Sequence, residues 1–373
     1  MRRLLIVLLL AAPVVVGAQS RAKNVILFLA DAGGIPTIHA ASLHGYGAAR
    51  KLFIQRMPNI GLSNTATASQ IVTDSAAGMT AIVTGERTHN GVIAQSATAV
   101  RGKADGERLK SILEYAEERG LSTGIVTDDS LAGATPAALY AKANDRGMTA
   151  VIFQQAFAPA FGDGVDVMIG TGRGSIVKAL AAQGIDLEAL ATEKGRPVLS
   201  ALPESGTRAI VLLEPSAYNV DAAVEAAIRM LSRNPKGYFL MVEADTHASP
   251  IRRGLDNLVA LDRVIERTAK VAGSNTLLLF TADHSFDIRL RGGLLDRPLL
   301  DGLAEAEAAA PKGPLRIPSL RMDNGHAGEE VLVAAQGPGA ERVRGYMSNT
   351  DLFRVMMAAY GWSLPKPKVV TER

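Results

Sequence analysis

Residues 24–31 read Asn-Val-Ile-Leu-Phe-Leu-Ala-Asp, a short apolar run closed by an acid. Runs of the same kind, rich in Val, Ile and Leu, recur at 122–127, 166–170, 209–213, 238–243, 276–281 and 330–335. Amphipathic stretches lie between them at 108–119, 176–183, 220–232 and 254–272, and a last one at 349–360. Strands buried on both faces read as continuous apolar runs, and their alternation with helices predicts an α/β fold. The expected architecture is a largely parallel central sheet with helices on both faces. The alternation breaks at 289–324, where Pro298, Pro311, Pro314 and Pro318 accompany an Ala/Glu-rich patch at 303–310. That stretch reads as an inserted loop or lid. With no internal repeat and no low-complexity linker, residues 19–373 are expected to form a single domain.

The composition bounds the chemistry. The chain has 373 residues, 47% of them hydrophobic and 21% charged, which is a globular composition and not a disordered one. The formal net charge is +3, with no run of Lys or Arg, so no nucleic acid is expected as a specific partner. The sequence contains no Cys, which excludes disulfides, Cys-ligated zinc and a thiol nucleophile together. Any metal must therefore be held by His, carboxylate and hydroxyl groups. Arg2 and Arg3, the apolar run 4–16 and the small residues ending at Ala18 have the form of a secretory signal peptide, 1–18. Its apolar run is shorter than the roughly 18 residues of a membrane-spanning helix. The mature protein is expected in the periplasm or outside the cell, with no membrane contact after cleavage.

Ionisable residues gather at the downstream ends of the expected strands. Asp31 closes the first, Glu243 closes 238–243, and Asp283 and His284 follow 276–281. Parallel α/β sheets bind ligands in the crevice at those ends. An acid there alone is more often a helix cap or a salt-bridge partner in a loop; three far-separated segments pointing to one crevice carry the inference. A second signal is Thr73-Asp74-Ser75-Ala76-Ala77-Gly78, which leads into a helix-compatible run. Ser75 at a helix N-terminus would sit among free N–H groups that favour an anion.

Six segments in order, NVILFLAD at 24–31, IVTDSAAGMTAIVTG at 71–85, STGIVTDDSLAGATPAALYAKANDR at 122–146, YFLMVEADTH at 238–247, TLLLFTADHS at 276–285 and HAGEEVLVAAQGPGA at 326–340, resemble bacterial alkaline phosphatases. The resemblance runs from Asn24 to Gly361. It implies a site with two zinc ions and one magnesium ion. By it, Ser75 is the nucleophile that becomes a phosphoserine. Asp31, Asp283 and His284 match ligands of the zinc beside it, with Ser75 itself as a further ligand. Asp245, His247 and His326 would hold the second zinc, and Asp31, Thr135 and Glu243 the magnesium. Arg146 would clamp the phosphate, oriented by Asp74. The implied substrates are small-molecule phosphate monoesters, and a homodimer is compatible with the resemblance.

The residue types suit that chemistry. Coordination lowers the pKa of a poor hydroxyl nucleophile, and two cations stabilise entering and leaving oxygens. A planar guanidinium matches two non-bridging phosphate oxygens, which favours monoesters over diesters. Three departures stand out: Ala32 where the family usually has Gly, Gly133 where it often carries Asp or His near the magnesium, and the compressed Glu243-Ala244-Asp245-Thr246-His247 where it usually spaces Asp and His as DxxxH. Other readings are a phosphodiesterase or phosphonate hydrolase of the same superfamily, or a catalytically weak metal- or phosphate-binding homologue.

Overall fold

The computed structural model describes residues 21–365 apart from Lys312, so the expected signal peptide lies outside the described residues. Among the described residues thirteen strands form two sheets: β1 (Asn24–Asp31), β2 (Asn59–Asn64), β3 (Ser122–Ser130), β4 (Val167–Thr171), β5 (Val198–Leu199), β6 (Ala209–Leu212), β7 (Tyr238–Asp245), β8 (Thr276–Thr281), β9 (Ser285–Leu290), β10 (Leu315–Arg316), β11 (Leu320–Ala327), β12 (Val331–Gln336) and β13 (Gly345–Ser348). The large sheet has ten strands in the order β13-β2-β12-β8-β1-β7-β3-β4-β6-β5. Pairing is parallel throughout except at β12, which runs against both β8 and β2. The architecture is the expected α/β one, with a mixed but largely parallel sheet.

The pleat explains why the apolar runs are continuous. Val25, Leu27 and Leu29 enter one hydrophobic core, and Ile26, Phe28 and Ala30 enter the other. Successive side chains of a strand face opposite sides, so a strand covered on both sides must be apolar at every position. Helices supply the two coverings. Ile251–Val271 packs with the core of Phe28 and Val242, whereas Ser75–Thr84, every residue of it buried, belongs to the opposite face.

The segment expected as a loop or lid carries structure of its own. Strands β9, β10 and β11 form a three-stranded antiparallel sheet, and Leu303–Ala309 is helical. Leu320 and Met322 alternate inward with the more exposed Arg321 and Asp323, the pattern of a sheet covered on one side. Among the described residues no helix is long and apolar enough to cross a membrane.

Candidate active site and metal centre

The sheet sets the positions of the acids directly. Asp31 and Asp245 are register partners at the last residues of the adjacent parallel strands β1 and β7, and Glu243 sits opposite Thr127 of β3. Thr127 donates to Glu243 Oε2 at 2.6 Å. Asp283 and His284 lie in the link from β8 to β9, and His326 near the end of β11. Expected site residues from four segments thus meet at one end of the sheet.

Ser75 opens the helix Ser75–Thr84, capped by Asp74, whose side chain accepts from Ala77 N at 3.1 Å. The Ser75 hydroxyl lies 3.2 Å from Asp31 Oδ2 and 3.3 Å from His284 Nε2. Gly78 allows this helix to approach: a Cβ there would stand 2.9 Å from the Asp283 carbonyl oxygen and 3.1 Å from its Cβ. The other Asp74 oxygen accepts from Arg146 Nη1 at 3.1 Å. One acid therefore both caps the helix and holds the guanidinium beside the hydroxyl. Asn90 fixes the approach to that helix, accepting from Asp74 N at 2.9 Å and donating to the Val72 carbonyl at 3.0 Å. Thr135 donates to Asp31 Oδ2 at 3.5 Å, at the outer limit of a hydrogen bond.

The three imidazoles are oriented from behind. His284 Nδ1 faces the Ser285 carbonyl at 3.0 Å, His326 Nδ1 the Thr73 carbonyl at 3.1 Å, and His247 Nδ1 the Asp245 carboxylate at 2.9 Å. These partners only accept, so each Nδ1 carries its proton and each neutral ring has its lone pair on Nε2. The His247 and His326 Nε2 atoms stand 3.3 Å apart, and the His284 and His326 rings stack at 3.8 Å. Two lone pairs at that separation repel unless a cation, a proton or a metal, lies between them.

Two ligand groups follow from this geometry: Asp31 with Asp283 and His284, and His247 with His284 and His326, the ligand atoms of each group lying within 4.8 Å of one another. Asp283 Oδ2 is buried and accepts no hydrogen bond, as an oxygen reserved for a cation would be. Both groups fit a metal. Asp245, expected with His247 and His326, lies behind His247 and pairs with Arg253.

The charges of the site act on one another at close range. Burial opposes ionisation of Asp31, but His284, His247 and Arg146 together hold its carboxyl well below the usual range. Burial and the Asp31 charge push Asp283 up to about 6. Burial also disfavours the cationic form of His284, yet Asp283 and Asp31 raise it to about 9. His326 is lowered to about 4 by burial and by the His284 charge. Burial, with Asp31 and Asp129 nearby, raises Glu243 well above its usual range.

Several residues of the site escaped the sequence reading. Asp128 accepts from Asp245 N at 2.7 Å and from Asn257 at 2.8 Å. An oxygen of the neighbouring Asp129 lies 2.9 Å from where a Cβ on Gly133 would be, so a carboxylate already occupies the place of a side chain at 133. The signal was available: Asp128 and Asp129 stand near the end of β3 as Asp31 stands at the end of β1. Ala32 adopts φ 65°, the left-handed region where glycine is favoured. His44 pairs with Asp256 at 2.7 Å and His89 with Ser69 at 2.8 Å, and neither belongs to the ligand groups.

Comparison with known proteins agrees with the geometry. The alkaline phosphatase family pattern matches residues 22–180 and 207–311. Alkaline phosphatase 4 of Drosophila melanogaster is 26% identical over 457 aligned positions, spanning 91% of this chain and 77% of the fly protein. The alkaline phosphatase of Gadus morhua is 27% identical over 425 positions, with 88% and 89% covered. Among solved structures, Thermus thermophilus alkaline phosphatase has a TM-score of 0.76 at 23% identity over 96% of each chain. The alkaline phosphatase of the Antarctic bacterium TAB5 gives 0.73 at 22% identity, covering 93% of this chain and 100% of that one. At such identities structural likeness shows the fold alone; the family pattern, covering well over half the residues, shows the family. The chain belongs to the alkaline phosphatase family and is a metal-binding hydrolase of phosphate esters.

Proposed function

We propose that the protein hydrolyses small phosphate monoesters through a phosphoserine on Ser75, with two zinc ions and one magnesium ion, in the periplasm or outside the cell. The observation that carries this reading is the Ser75 hydroxyl at the start of a helix, 3.2 Å from Asp31 and 3.3 Å from His284, with Arg146 held across Asp74. Asp31, Asp283 and His284 would hold the zinc beside Ser75. His247 and His326 would hold the second zinc, and Asp31, Thr135 and Glu243 the magnesium. When bound, the cations lower the pKa of hydroxyl and water and neutralise phosphoryl charge.

The chain's own groups do the rest. Ser75 Oγ bonds to phosphorus as the ester P–O bond breaks and the alcohol leaves; water then cleaves the Oγ–P bond and releases inorganic phosphate. The first N–H groups of Ser75–Thr84 face the phosphoryl oxygens with the positive end of the helix. Arg146 spends one nitrogen on Asp74 and keeps the others for two non-bridging oxygens, a pairing that a diester offers less well.

The test is a chromogenic monoester assay with peptide mapping of the acid-quenched enzyme. Phosphate should be found on Ser75, and chelator should abolish turnover that zinc restores. Ser75→Ala should lower turnover at least roughly a thousandfold with metals still bound. Full activity in that variant, or label on Thr73, would remove the basis for the reading.

A further inference from the structure

We propose that Asp245 is the carboxylate that orients His247 and not itself a metal ligand, that Arg253 locks it in that role, and that the second ion is held by imidazoles. This rests on the proposed metal centre and concerns how the compressed segment 243–247 builds it.

Both Asp245 oxygens are already committed. Oδ1 accepts from the His247 backbone N–H at 3.0 Å and from His247 Nδ1 at 2.9 Å. Oδ2 pairs with Arg253 Nη2. The backbone is gripped as well: Asp245 N donates to Asp128 Oδ1 at 2.7 Å, and its carbonyl accepts from Asn257 Nδ2 at 2.8 Å. Asn257 also donates to Asp128 Oδ2 at 2.8 Å, closing the ring of contacts. Arg253 and Asn257 lie four residues apart on the helix Ile251–Val271, hence on one face.

That helix cannot easily withdraw. A Cβ at Gly254 would stand 2.4 Å from the His247 carbonyl and 2.7 Å from that of Thr246, so only glycine admits this approach. On the other side Thr246 bonds the Asp31 carbonyl twice, through N at 3.0 Å and Oγ1 at 2.6 Å. Asp245-Thr246-His247 is therefore clamped between β1 and the helix. Arg253 is half exposed, and alone it would be a weak tether. The second oxygen, fixed by two His247 N–H groups, makes the orientation definite.

The consequence lies at the other ring nitrogen. With Nδ1–H given to Asp245, His247 presents Nε2 toward His326 Nε2, and His247, His284 and His326 form a ligand group without Asp245. A carboxylate behind a metal-bound imidazole fixes its tautomer and raises its basicity, and with His284 Nε2 given to the zinc beside Ser75, the second ion is left to His247 and His326, with water completing its coordination.

The experiment measures zinc per chain by mass spectrometry and zinc affinity by chelator competition, on intact protein, for wild type, Asp245→Asn, Arg253→Gln and His326→Ala. If Asp245 orients, Asp245→Asn keeps the wild-type zinc content at saturating zinc but loses roughly 10–100-fold in affinity for one ion. Arg253→Gln, a change at a half-exposed position, lowers the same affinity by a smaller factor. His326→Ala loses about one zinc at saturation. The inference is overturned if Asp245→Asn loses a full zinc at saturation, or if Arg253→Gln binds zinc more tightly because the freed carboxylate joins the ion. Either result leaves the metal-dependent reading standing, whereas a wild type that binds no zinc overturns both.

Discussion

Lys142 and Glu114 meet at 2.8 Å with both side chains almost wholly excluded from solvent, and Glu117 lies buried nearby. Asp31, Asp283 and Glu243 are buried to a similar degree at the ends of β1, β8 and β7, but no lysine stands among them. The first cluster neutralises itself. Burial raises Glu114 and lowers Lys142, and their mutual attraction opposes both shifts. The Glu114 carboxylate also completes a capping box with Ser111 at the start of Ile112–Glu118. The second cluster must borrow its positive charge from His284 and His247, from Arg146 at the rim, or from cations. Each cluster leaves one carboxylate oxygen without a hydrogen bond, Glu114 Oε1 in one and Asp283 Oδ2 in the other. What separates a structural cluster from a functional one here is therefore the source of the cation, and not the degree of satisfaction.

The strongest way to break this contrast is to remove the internal cation. Lys142→Met leaves Glu114 buried and unpaired, and breaking a buried pair in this way costs about 3–5 kcal/mol. Urea unfolding should show that loss, with turnover per folded molecule unchanged. Adding Glu114→Gln should recover much of it. A single variant as stable as wild type would mean that Glu114 is already neutral in the fold, and the two clusters would not differ as described.

A smaller effect depends on pH. Burial pushes the Glu117 carboxyl up to about 8 from its ordinary 4.5. Between those values the unfolded chain releases a proton that the folded chain keeps, so this group's contribution is full below pH 4.5 and is lost as pH rises through about 8. Glu117→Gln should flatten that slope. Its amide oxygen can accept from Gly164 N and its amide nitrogen can donate to the Thr123 hydroxyl, replacing the present bonds at 3.1 Å each. Thermal unfolding from pH 5 to pH 9 should show the variant gaining on wild type by a few kcal/mol toward the alkaline end. An unchanged slope would place the ionisation of Glu117 outside that window.

How much of this was legible beforehand follows from the same physics. Strands β1, β3, β4, β6, β7, β8 and β12 stood out because central strands need apolar residues at every position. Strand β2, Asn-Ile-Gly-Leu-Ser-Asn, and β13, Gly-Tyr-Met-Ser, lie toward one edge, are half polar, and gave no such run. Strands β10 and β11 were hidden in prolines and charges because a sheet covered on one side alternates, and a bulge between Met322 and His326 breaks even that alternation. Asp31, Glu243, Asp283, His284 and Ser75 were legible because strand ends and a helix start mark them. Arg253 and Asn257 were not. They lie on a long amphipathic helix, where a polar residue turned to a neighbouring carboxylate looks in sequence like one turned to water.

The smallest expected effect sharpens the contrast from the side of the site. Ala32, next to Asp31, holds φ 65° and donates its N–H to Asp283 Oδ1 at 3.2 Å. A side chain with a Cβ costs roughly 1–2 kcal/mol in that region. Glycine would remove the cost but return about 0.5–1 kcal/mol through the greater freedom of the unfolded chain. The net gain for Ala32→Gly is thus about 1 kcal/mol or less, a rise in Tm of roughly 2 °C at most for a chain of this size. The same rise is expected with and without bound metal, because the strain belongs to the turn after β1 and not to the ligands. A rise confined to the metal-free protein would instead show that the strained Ala32 N–H helps to hold Asp283 toward the cation, and that the site stores part of the stability that the Lys142 cluster keeps for the fold.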